Sequence, residues 1–193
     1  MKILIATNNK HKVEEISAIF EGTGHEVVSP AMIGLKIDVE EDSDTFAGNA
    51  MKKAEGFARA SGMTCIADDS GLTVECLGGA PGVYSARYGG EGLDDKGRTQ
   101  LLLKNMEGKT DRRAAFVCAI AMVFDDGRVL TAEGKCPGTI DFEMKGNGGF
   151  GYDPVFIPDG YDKSFSELSQ AEKNAISHRG RALAELKTKL AEI

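Results

Sequence analysis

The sequence predicts an α/β fold, because strand-like apolar runs alternate with segments whose apolar residues recur at helical spacing. Residues 3–6 form a continuous apolar run typical of a buried strand, and residues 13–20 then place apolar side chains on one helix face. Residues 113–124 and 129–135 are strand-like runs on either side of an Asp-Asp-Gly-Arg turn, which is typical of a β-hairpin. The chain therefore combines a strand–helix unit with a strand pair.

Further strand and helix signals follow along the chain. A helix is predicted over residues 46–61, with Asp44 or Thr45 as its N-cap. Ser169 and Glu172 form a capping box that opens another helix. The other predicted elements are short strands in residues 25–29, 35–39, 63–67 and 72–76, and a helix from Asp94 or Asp95 to about Asn105.

The composition is typical of a globular protein and excludes several classes. The chain has 193 residues, of which 41% are hydrophobic and 27% charged, enough for one domain with a sizeable core. Its net charge of -7 argues against an extended surface for nucleic acid. The longest apolar run, residues 114–124, is shorter than the roughly 18 residues of a membrane span. The four cysteines lack C-x-x-C spacing and the start lacks a signal-peptide pattern, so we expect reduced thiols in a cytoplasmic protein.

Two adjacent carboxylates follow the predicted strand of residues 63–67. Asp68 and Asp69 are hard to explain by packing, because neighbouring carboxylates repel each other and lose hydration at a sheltered strand end. A divalent cation such as Mg²⁺ relieves both costs, since it binds carboxylate oxygens together with water and substrate phosphates. Ser70 and Gly71 suit a tight turn whose backbone can approach a ligand. An ordinary acidic turn is the alternative.

The polar segment after the first strand is a candidate anion site. Asn8 or Asn9 is a natural N-cap for the helix that follows, and the free N–H groups and dipole of a helix start favour an anion. Lys12 adds a positive charge in the first turn. Most strand-to-helix turns bind nothing, however, and Lys10 and His11 are equally compatible with exposure to solvent.

Glu41 and Lys53 are the candidates from the next segment. Residues 40–44 carry four carboxylates that suit a solvated loop, and a metal site with Asp69 needs only one of them, for which Glu41 is the candidate. Lys53 lies on the inward side of the helix over residues 46–61. Its ammonium group either extends to water or reaches a phosphate pocket, and the nearby carboxylates favour the pocket.

The C-terminal third contains a candidate site for a flat ligand. Residues 146–154 are too glycine-rich for a strand interior, and their glycines let the backbone approach a ligand closely. Phe150 offers a face on which a base can stack. The alternative is a tight turn with an aromatic core residue. His178 and Arg179 stand together at a helix break, which makes them ligand candidates.

Together these segments resemble one known family, in the right order and over nearly the whole chain. The matching motifs are Thr7-x-Asn9-x-x-Lys12, Thr45-Phe46 with Asn49-Ala50 and Lys53-Ala54, residues 67–72, Gly78-Gly79-Ala80-Pro81-Gly82, Ser85-Ala86-Arg87-Tyr88, residues 148–154 and Ser177-His178-Arg179-Gly180. The chain is similar to the Ham1-like inosine/xanthosine triphosphate pyrophosphatases, which remove non-standard purine nucleotides from the nucleotide pool. It departs from them at Gly48, where members commonly carry Glu.

The resemblance implies a fold, a reaction and an assembly. The implied fold is a long mixed twisted sheet flanked by helices, with two lobes around a central cleft, in one domain that covers residues 1–193. The implied reaction is Mg²⁺-dependent hydrolysis of ITP, dITP and XTP to the monophosphate and pyrophosphate. Members are usually homodimers, and neither a nucleic acid polymer nor a membrane is expected as a partner.

The resemblance also implies residue roles. Asp69 is the expected general base and a metal ligand, with Glu41 and Asp68 as the other carboxylates at Mg²⁺ and Lys53 as a second catalytic group. Phe150 would stack on the purine, whose edge would face Asp153, Lys173, His178 and Arg179. The full set of expected substrate-binding residues is Thr7, Asn8, Asn9, Lys10, His11, Lys12, Lys53, Ser70, Phe150, Gly151, Tyr152, Asp153, Lys173, His178 and Arg179.

Three other interpretations are open at this point. The first is a Maf-like nucleotide pyrophosphatase, against which residues 150–153 and 177–180 argue. The second is a non-catalytic nucleotide-binding regulator, but a sensor needs no carboxylate that activates water. The third is a serine hydrolase that uses Ser70, although no G-x-S-x-G elbow surrounds this residue.

Overall fold

The computed structural model describes residues 1–192, and within this range six strands form one mixed sheet. The strands are β1 (Lys2–Ile5), β2 (Glu26–Val28), β3 (Thr64–Val74), β4 (Arg113–Val123), β5 (Val129–Ile140) and β6 (Phe156–Pro158), and their order in the sheet is β2-β1-β3-β4-β5-β6. β1 is parallel to both β2 and β3, whereas β6 is antiparallel to β5. The predicted α/β fold with a mixed sheet is therefore confirmed.

The first four helices begin where the sequence predicts their caps. They are α1 (Lys10–Phe20), α2 (Phe46–Ser61), α3 (Asp95–Asn105), α4 (Gln170–Ile176) and α5 (His178–Leu190). Side-chain oxygens of Asn9, Thr45, Asp94 and Ser169 cap the first four helices by accepting backbone N–H groups of the first turn. These caps are predictable because they depend on a few adjacent residues. No helix within residues 1–192 is long and apolar enough to cross a membrane.

The chain divides into two compact units. Unit 1 comprises Met1–Asp69, Cys118–Gly134 and the chain from Arg179 onward, and unit 2 comprises Ser70–Val117 and Lys135–His178. In unit 1, Ile3 and Ile5 pack with α1 and α5, whereas the intervening Leu4 packs with α2. Because successive side chains of a strand point to opposite faces, α1 and α5 cover one face of the unit 1 strands and α2 covers the other.

Unit 2 has a core of its own. Leu102 of α3 and Met106, directly after that helix, pack against strand residues such as Leu72 and Phe156. Phe116, Phe156 and Phe165 form an aromatic group with ring centroids 4.7 to 5.8 Å apart. The four cysteines of the chain are free thiols, as predicted, and burial raises the pKa of Cys65 to about 12.

Three local predictions are wrong. Residues 35–39 form no strand, because the alternating Leu35, Ile37 and Val39 pack against the α2 side of unit 1 without pairing in the sheet. Residues 68–71 form no turn, because β3 continues through them to Val74. β5 extends past the predicted end to Ile140, where it pairs with the unpredicted β6. Gly138 permits this pairing, since a Cβ atom there would lie 2.3 Å from the carbonyl oxygen of Ile157.

Candidate active site

Asp68 and Asp69 are consecutive residues of β3, so their side chains point to opposite faces of the strand. Asp68 lies on the face covered by α1 and α5. Its Oδ2 accepts from Lys12 Nζ at 3.0 Å and from Arg179 Nε at 3.3 Å. Arg179 in turn donates to Glu15 at 2.6 Å, so a buried network joins β3 to α1 and α5.

The two cations keep Asp68 ionised. Burial by itself raises the pKa of this carboxyl group, but the charges of Lys12, Arg179 and Lys53 outweigh that effect and hold the pKa well below its usual range. Asp68 Oδ1 is buried and accepts no hydrogen bond from any group within residues 1–192. One oxygen of this carboxylate is thus neutralised by the protein, and the other is an acceptor that a further cation would satisfy.

Asp69 lies on the α2 face, where Asn49 holds it. Asn49 is 1% exposed and donates from Nδ2 to Asp69 Oδ2 at 3.1 Å. The same amide group bonds the backbone of Ser43 in both directions, at 2.9 and 3.3 Å. Asn49 therefore connects Asp69 to the acidic loop that carries Glu41, whose Oε2 accepts from Lys53 Nζ at 3.0 Å.

The environment of Asp69 disfavours its charge. Burial raises the pKa of Asp69 above its usual range, and the neighbouring Glu41 carboxylate acts in the same direction. The Asn49 hydrogen bond and the Lys53 charge oppose this shift without cancelling it. A carboxylate with a raised pKa is a better proton acceptor near neutral pH than an ordinary one.

These carboxylates fit a Mg²⁺ ion that shares its coordination with a substrate. Within residues 1–192, no three His, Cys, Asp or Glu side chains are arranged to hold a metal ion by themselves. Mg²⁺ in nucleotide enzymes is usually bound by one or two carboxylates, by water and by substrate phosphates. Glu41 raises the proton affinity of Asp69, a cation would relieve the repulsion between these two carboxylates, and Asp68 contributes its unsatisfied oxygen.

The segment from Thr7 to Lys12 is a capped helix start. The Asn9 side chain accepts the backbone N–H groups of His11 and Lys12 at 3.0 and 3.4 Å, and Thr7 Oγ1 accepts that of Asn9 at 3.1 Å. Several N–H groups expected to face an anion are therefore hydrogen-bonded within the segment. The side chains of Asn8, Asn9, Lys10 and His11 are exposed, and Lys12 reaches the carboxylate of Asp68 in β3.

Unit 2 brings together the predicted aromatic and charged residues of the glycine-rich loop. Asp153 is buried, and its Oδ2 accepts from Lys173 Nζ at 2.6 Å and from the backbone N–H of Phe150 at 2.9 Å. Lys173 Nζ lies 4.6 Å from the centroid of the Phe150 ring and 5.6 Å from that of Phe165. The pair with Asp153 satisfies a buried ammonium group and places it over the aromatic face.

The other candidates of unit 2 make contacts that are typical of structural residues. The His178 ring stacks on Phe116 with centroids 4.8 Å apart. Tyr152 is 5% exposed and donates its hydroxyl to the carbonyl of Ser85 at 2.7 Å, so it serves as a core residue. Ser70 lies within β3 and not on a strand-to-helix elbow, which argues against a serine hydrolase.

The structure thus divides the predicted charged residues of unit 1 between the two aspartates. The sequence does not show this division. In unit 1, Lys12 and Arg179 surround Asp68, whereas Lys53 and Glu41 lie near Asp69. Arg179, expected at the purine edge, is 3% exposed and bonded to Asp68 and Glu15. Sequence reasoning did not identify Glu15 as a member of the site, because its only local signal is a carboxylate in the second turn of a helix.

Fold and site together define an α/β protein with a carboxylate–lysine cluster suited to a metal ion and phosphate groups. The profile of the Ham1 family matches residues 3–189, and the chain belongs to this family. The predicted resemblance is confirmed, and it decides against the Maf-like interpretation.

Relatives and solved structures match over the full length. A dITP/XTP pyrophosphatase of Desulforamulus reducens is 50% identical over 185 residues, which cover 95% of this chain and 92% of that protein. The Ham1 protein of Staphylococcus aureus is 41% identical with a TM-score of 0.93, covering 100% of this chain and 99% of that one. A HAM1 protein from Coxiella burnetii is 38% identical with a TM-score of 0.94, and the coverage is 100% for both chains.

Proposed function

We propose that this protein is a nucleoside-triphosphate pyrophosphatase that hydrolyses dITP, ITP and XTP to the monophosphate and pyrophosphate. The observation that carries the proposal is the cluster of Asp69, Glu41 and Lys53 in a chain whose full-length relatives are named dITP/XTP pyrophosphatases. The proposal includes dependence on Mg²⁺, a homodimer, a cytoplasmic location and a role in removing non-standard nucleotides.

Asp69 is the proposed general base. It accepts a proton from a water molecule whose oxygen attacks the α-phosphorus, while the bond from that phosphorus to the bridging oxygen breaks and pyrophosphate leaves. Burial supports this role, because it raises the pKa of Asp69 and so strengthens it as a base. Asn49 holds the carboxylate by one oxygen, which fixes the direction in which it accepts the proton.

Lys53 and Lys12 are the proposed phosphate-binding cations of unit 1. Both are largely buried and both already lie beside carboxylates, at 3.0 Å from Glu41 and from Asp68 respectively. The carboxylate partners hold both ammonium groups in position before the substrate binds. Their positive charge therefore stabilises the charge that develops on the leaving pyrophosphate. Asp69, Glu41 and Asp68 would hold Mg²⁺, which supplies further charge neutralisation and orients the triphosphate when bound.

Phe150 and its neighbours in unit 2 are the proposed site for the purine. The base stacks on the Phe150 ring, and donors such as Lys173 donate a hydrogen bond to the 6-oxo oxygen of hypoxanthine or xanthine. The 6-amino group of adenine leaves such a donor unpaired, which costs about 1–3 kcal/mol, or roughly tenfold to hundredfold in discrimination. Lys173 keeps its bond to Asp153, so the cost applies to the remaining N–H donors of this buried ammonium group.

A substrate panel tests the proposal. Pyrophosphate release is measured with ITP, dITP, XTP and the four standard deoxynucleoside triphosphates, with Mg²⁺ and again with excess chelator. We expect rapid release from the first three, slow release from the others and none with chelator. Binding of ITP without turnover would instead support the regulator interpretation, and release that is indifferent to chelator would remove Mg²⁺ from the proposal.

A substitution of Asp69 tests its role in proton transfer. We expect D69N to lower kcat for XTP by about 10²- to 10⁴-fold, because removal of a positioned base has effects of this size. The matched control is D42N, in the exposed pair of Asp42 with Lys52 on the same acidic loop, and it should keep wild-type kcat. A D69N protein that folds and retains wild-type kcat would eliminate the assignment.

A further inference from the structure

The peptide of Gly151 is held by the first turn of α3, within unit 2. The backbone N–H of Gly151 donates to Asp95 Oδ2 at 2.9 Å. Thr99, which is fully buried, lies with its hydroxyl 3.2 Å from the carbonyl oxygen of Gly151 and 2.9 Å from that of Asp95, so one hydrogen is shared between two acceptors. The Asp95 contact is therefore the stronger of the two that reach the loop.

Asp95 is itself fixed in place. Its second oxygen, Oδ1, accepts from Arg98 Nη2 at 2.9 Å, so each oxygen of the carboxylate has a separate partner. The helix cap is made by a different residue, since Asp94 Oδ1 accepts the backbone N–H of Gly97 at 2.7 Å. Capping of α3 and attachment of the loop thus depend on adjacent but different side chains.

Two hydrogen bonds hold the backbone at Phe150 and at the residue that follows it. Its own N–H donates to Asp153, which is paired with Lys173, and the N–H of the next residue, Gly151, donates to Asp95. The loop can follow this path because Gly149 and Gly151 both adopt positive φ, at 72° and 58°. Two carboxylates on consecutive N–H groups therefore fix the backbone that carries the Phe150 ring.

We propose that Asp95 is a positioning residue for base recognition, with Thr99 as its auxiliary. Asp95 fixes the Gly151 peptide and so holds the Phe150 ring in the orientation in which a purine stacks on it. This inference rests on the proposed function. A loop that is already ordered in the free enzyme loses little conformational freedom when the base binds. The contribution of Asp95 therefore appears in substrate affinity.

The kinetic signature of this role is a separation of KM from kcat. The order that Asp95 gives to the loop favours the substrate complex and the transition state equally relative to the free enzyme, and loss of such uniform binding raises KM and leaves kcat unchanged. For D95A we expect a KM for XTP about tenfold higher, the size of one lost hydrogen bond to a charged group, with kcat within about twofold of wild type. D95N keeps an oxygen that accepts from Gly151 and should restore most of the affinity.

The matched control is D94A. It removes the cap of α3 and should lower Tm, but it touches nothing in the loop and should keep the wild-type KM. A KM for D95A equal to that of wild type, a kcat that falls as much as KM rises, or a D94A protein with the same increase in KM would each overturn the inference. Wild-type protein that hydrolyses none of the panel would instead overturn the proposed function.

A fluorescence measurement tests the positioning without turnover. The chain contains no tryptophan, so F150W carries a single tryptophan, within the glycine-rich loop, whose emission can be excited selectively. We expect D95A in the F150W background to lower the emission anisotropy, and D94A in the same background to leave it unchanged. Equal anisotropy in F150W with and without D95A would contradict the inference, whatever the activity of the protein.

Discussion

Asp68 is a buried anion that two basic side chains share, and this distinguishes it from Asp69 next to it. Its partners Lys12 and Arg179 come from helices at opposite ends of the chain, and Arg179 is also bonded to Glu15. Removing one member of such a network leaves the others charged, buried and without compensation. Asp68 thus stabilises unit 1 in addition to its proposed place beside Mg²⁺.

Substitution of Asp68 should therefore reduce stability strongly. We expect D68N to lower the free energy of unfolding by about 3–5 kcal/mol, because Lys12 and Arg179 lose a shared buried counter-charge. Urea unfolding followed by circular dichroism at pH 7 measures the change. The control D42N breaks an exposed ion pair and should leave stability almost unchanged. Equal unfolding midpoints for D68N and wild type would show that the network contributes no net stability.

Gly48 shows how a departure from the family pattern is accommodated at a single residue. A Cβ atom at this position of α2 would lie 2.1 Å from Ser43 Oγ and 2.8 Å from Ser43 Cβ. Ser43 therefore occupies the space that a larger side chain would need. Because Asn49 bonds the backbone of Ser43, the glycine lets the acidic loop lie close to the start of α2.

The first turn of α3 gives a pH-dependent contribution to stability. Burial raises the pKa of Asp95, but the Arg98 hydrogen bond and the Gly151 N–H outweigh this and hold the pKa below its usual range. A carboxyl group whose pKa is lower in the folded state stabilises the fold above its unfolded pKa of about 3.9. That stabilisation is lost as the pH falls through the lowered folded pKa.

The comparison of wild type with D95N isolates this contribution. At pH 7 we expect a lower Tm for D95N, because it loses the charge that Arg98 contacts. The difference in Tm should decrease as the pH falls below about 4 and vanish only once the pH is below the lowered folded pKa, where wild-type Asp95 is protonated as well. Calorimetric scans at several pH values between 3 and 7 measure it. A difference in Tm that grows on acidification would contradict the sign of the pKa shift.

Sequence reasoning succeeded for elements whose signals are local and failed where distant residues decide. The caps of α1 to α4 lie next to the helices that they start, so the sequence identifies them. Residues 68–71 have the composition of a turn, yet β3 continues through them because Lys12, Arg179 and Asn49 compensate the two carboxylates. Those partners lie at least 20 positions from the residues that they contact.

The same limit applies to the site as a whole. The motifs predicted which residues carry the chemistry, because the family pattern runs in order along the chain. They did not predict that Arg179 is enclosed by Asp68 and Glu15, since contacts separated by more than 100 residues leave no local trace. They also missed Asp95, which the sequence presents only as a candidate helix cap.

Three long strands run through both units of the molecule. β3 passes from unit 1 to unit 2 after Asp69, β4 passes from unit 2 to unit 1 after Val117, and β5 returns to unit 2 after Gly134. Each strand is one continuous hydrogen-bonded element, so neither unit can lose its strands without shortening those of the other. We therefore expect the two units to unfold in one cooperative transition.

Two buried thiols can report on the units separately in the same experiment. Cys118 belongs to unit 1 and Cys136 to unit 2, and both are at most 1% exposed. Alkylation at increasing urea concentrations, read out by peptide mass spectrometry, gives a midpoint for each thiol. In wild type the midpoints should coincide. F156A creates a cavity in the core of unit 2 and should destabilise the protein by about 3–5 kcal/mol.

If unfolding is cooperative, F156A shifts both midpoints to lower urea by the same amount, although Phe156 belongs to unit 2 alone. The matched variant L186A removes a buried side chain from unit 1 and should shift both midpoints together as well. A Cys136 midpoint that falls while that of Cys118 stays in place would show that unit 2 unfolds independently. The continuous strands would then be connections between two separately folding bodies, and substrate affinity in unit 2 could be altered without loss of the carboxylate–lysine cluster in unit 1.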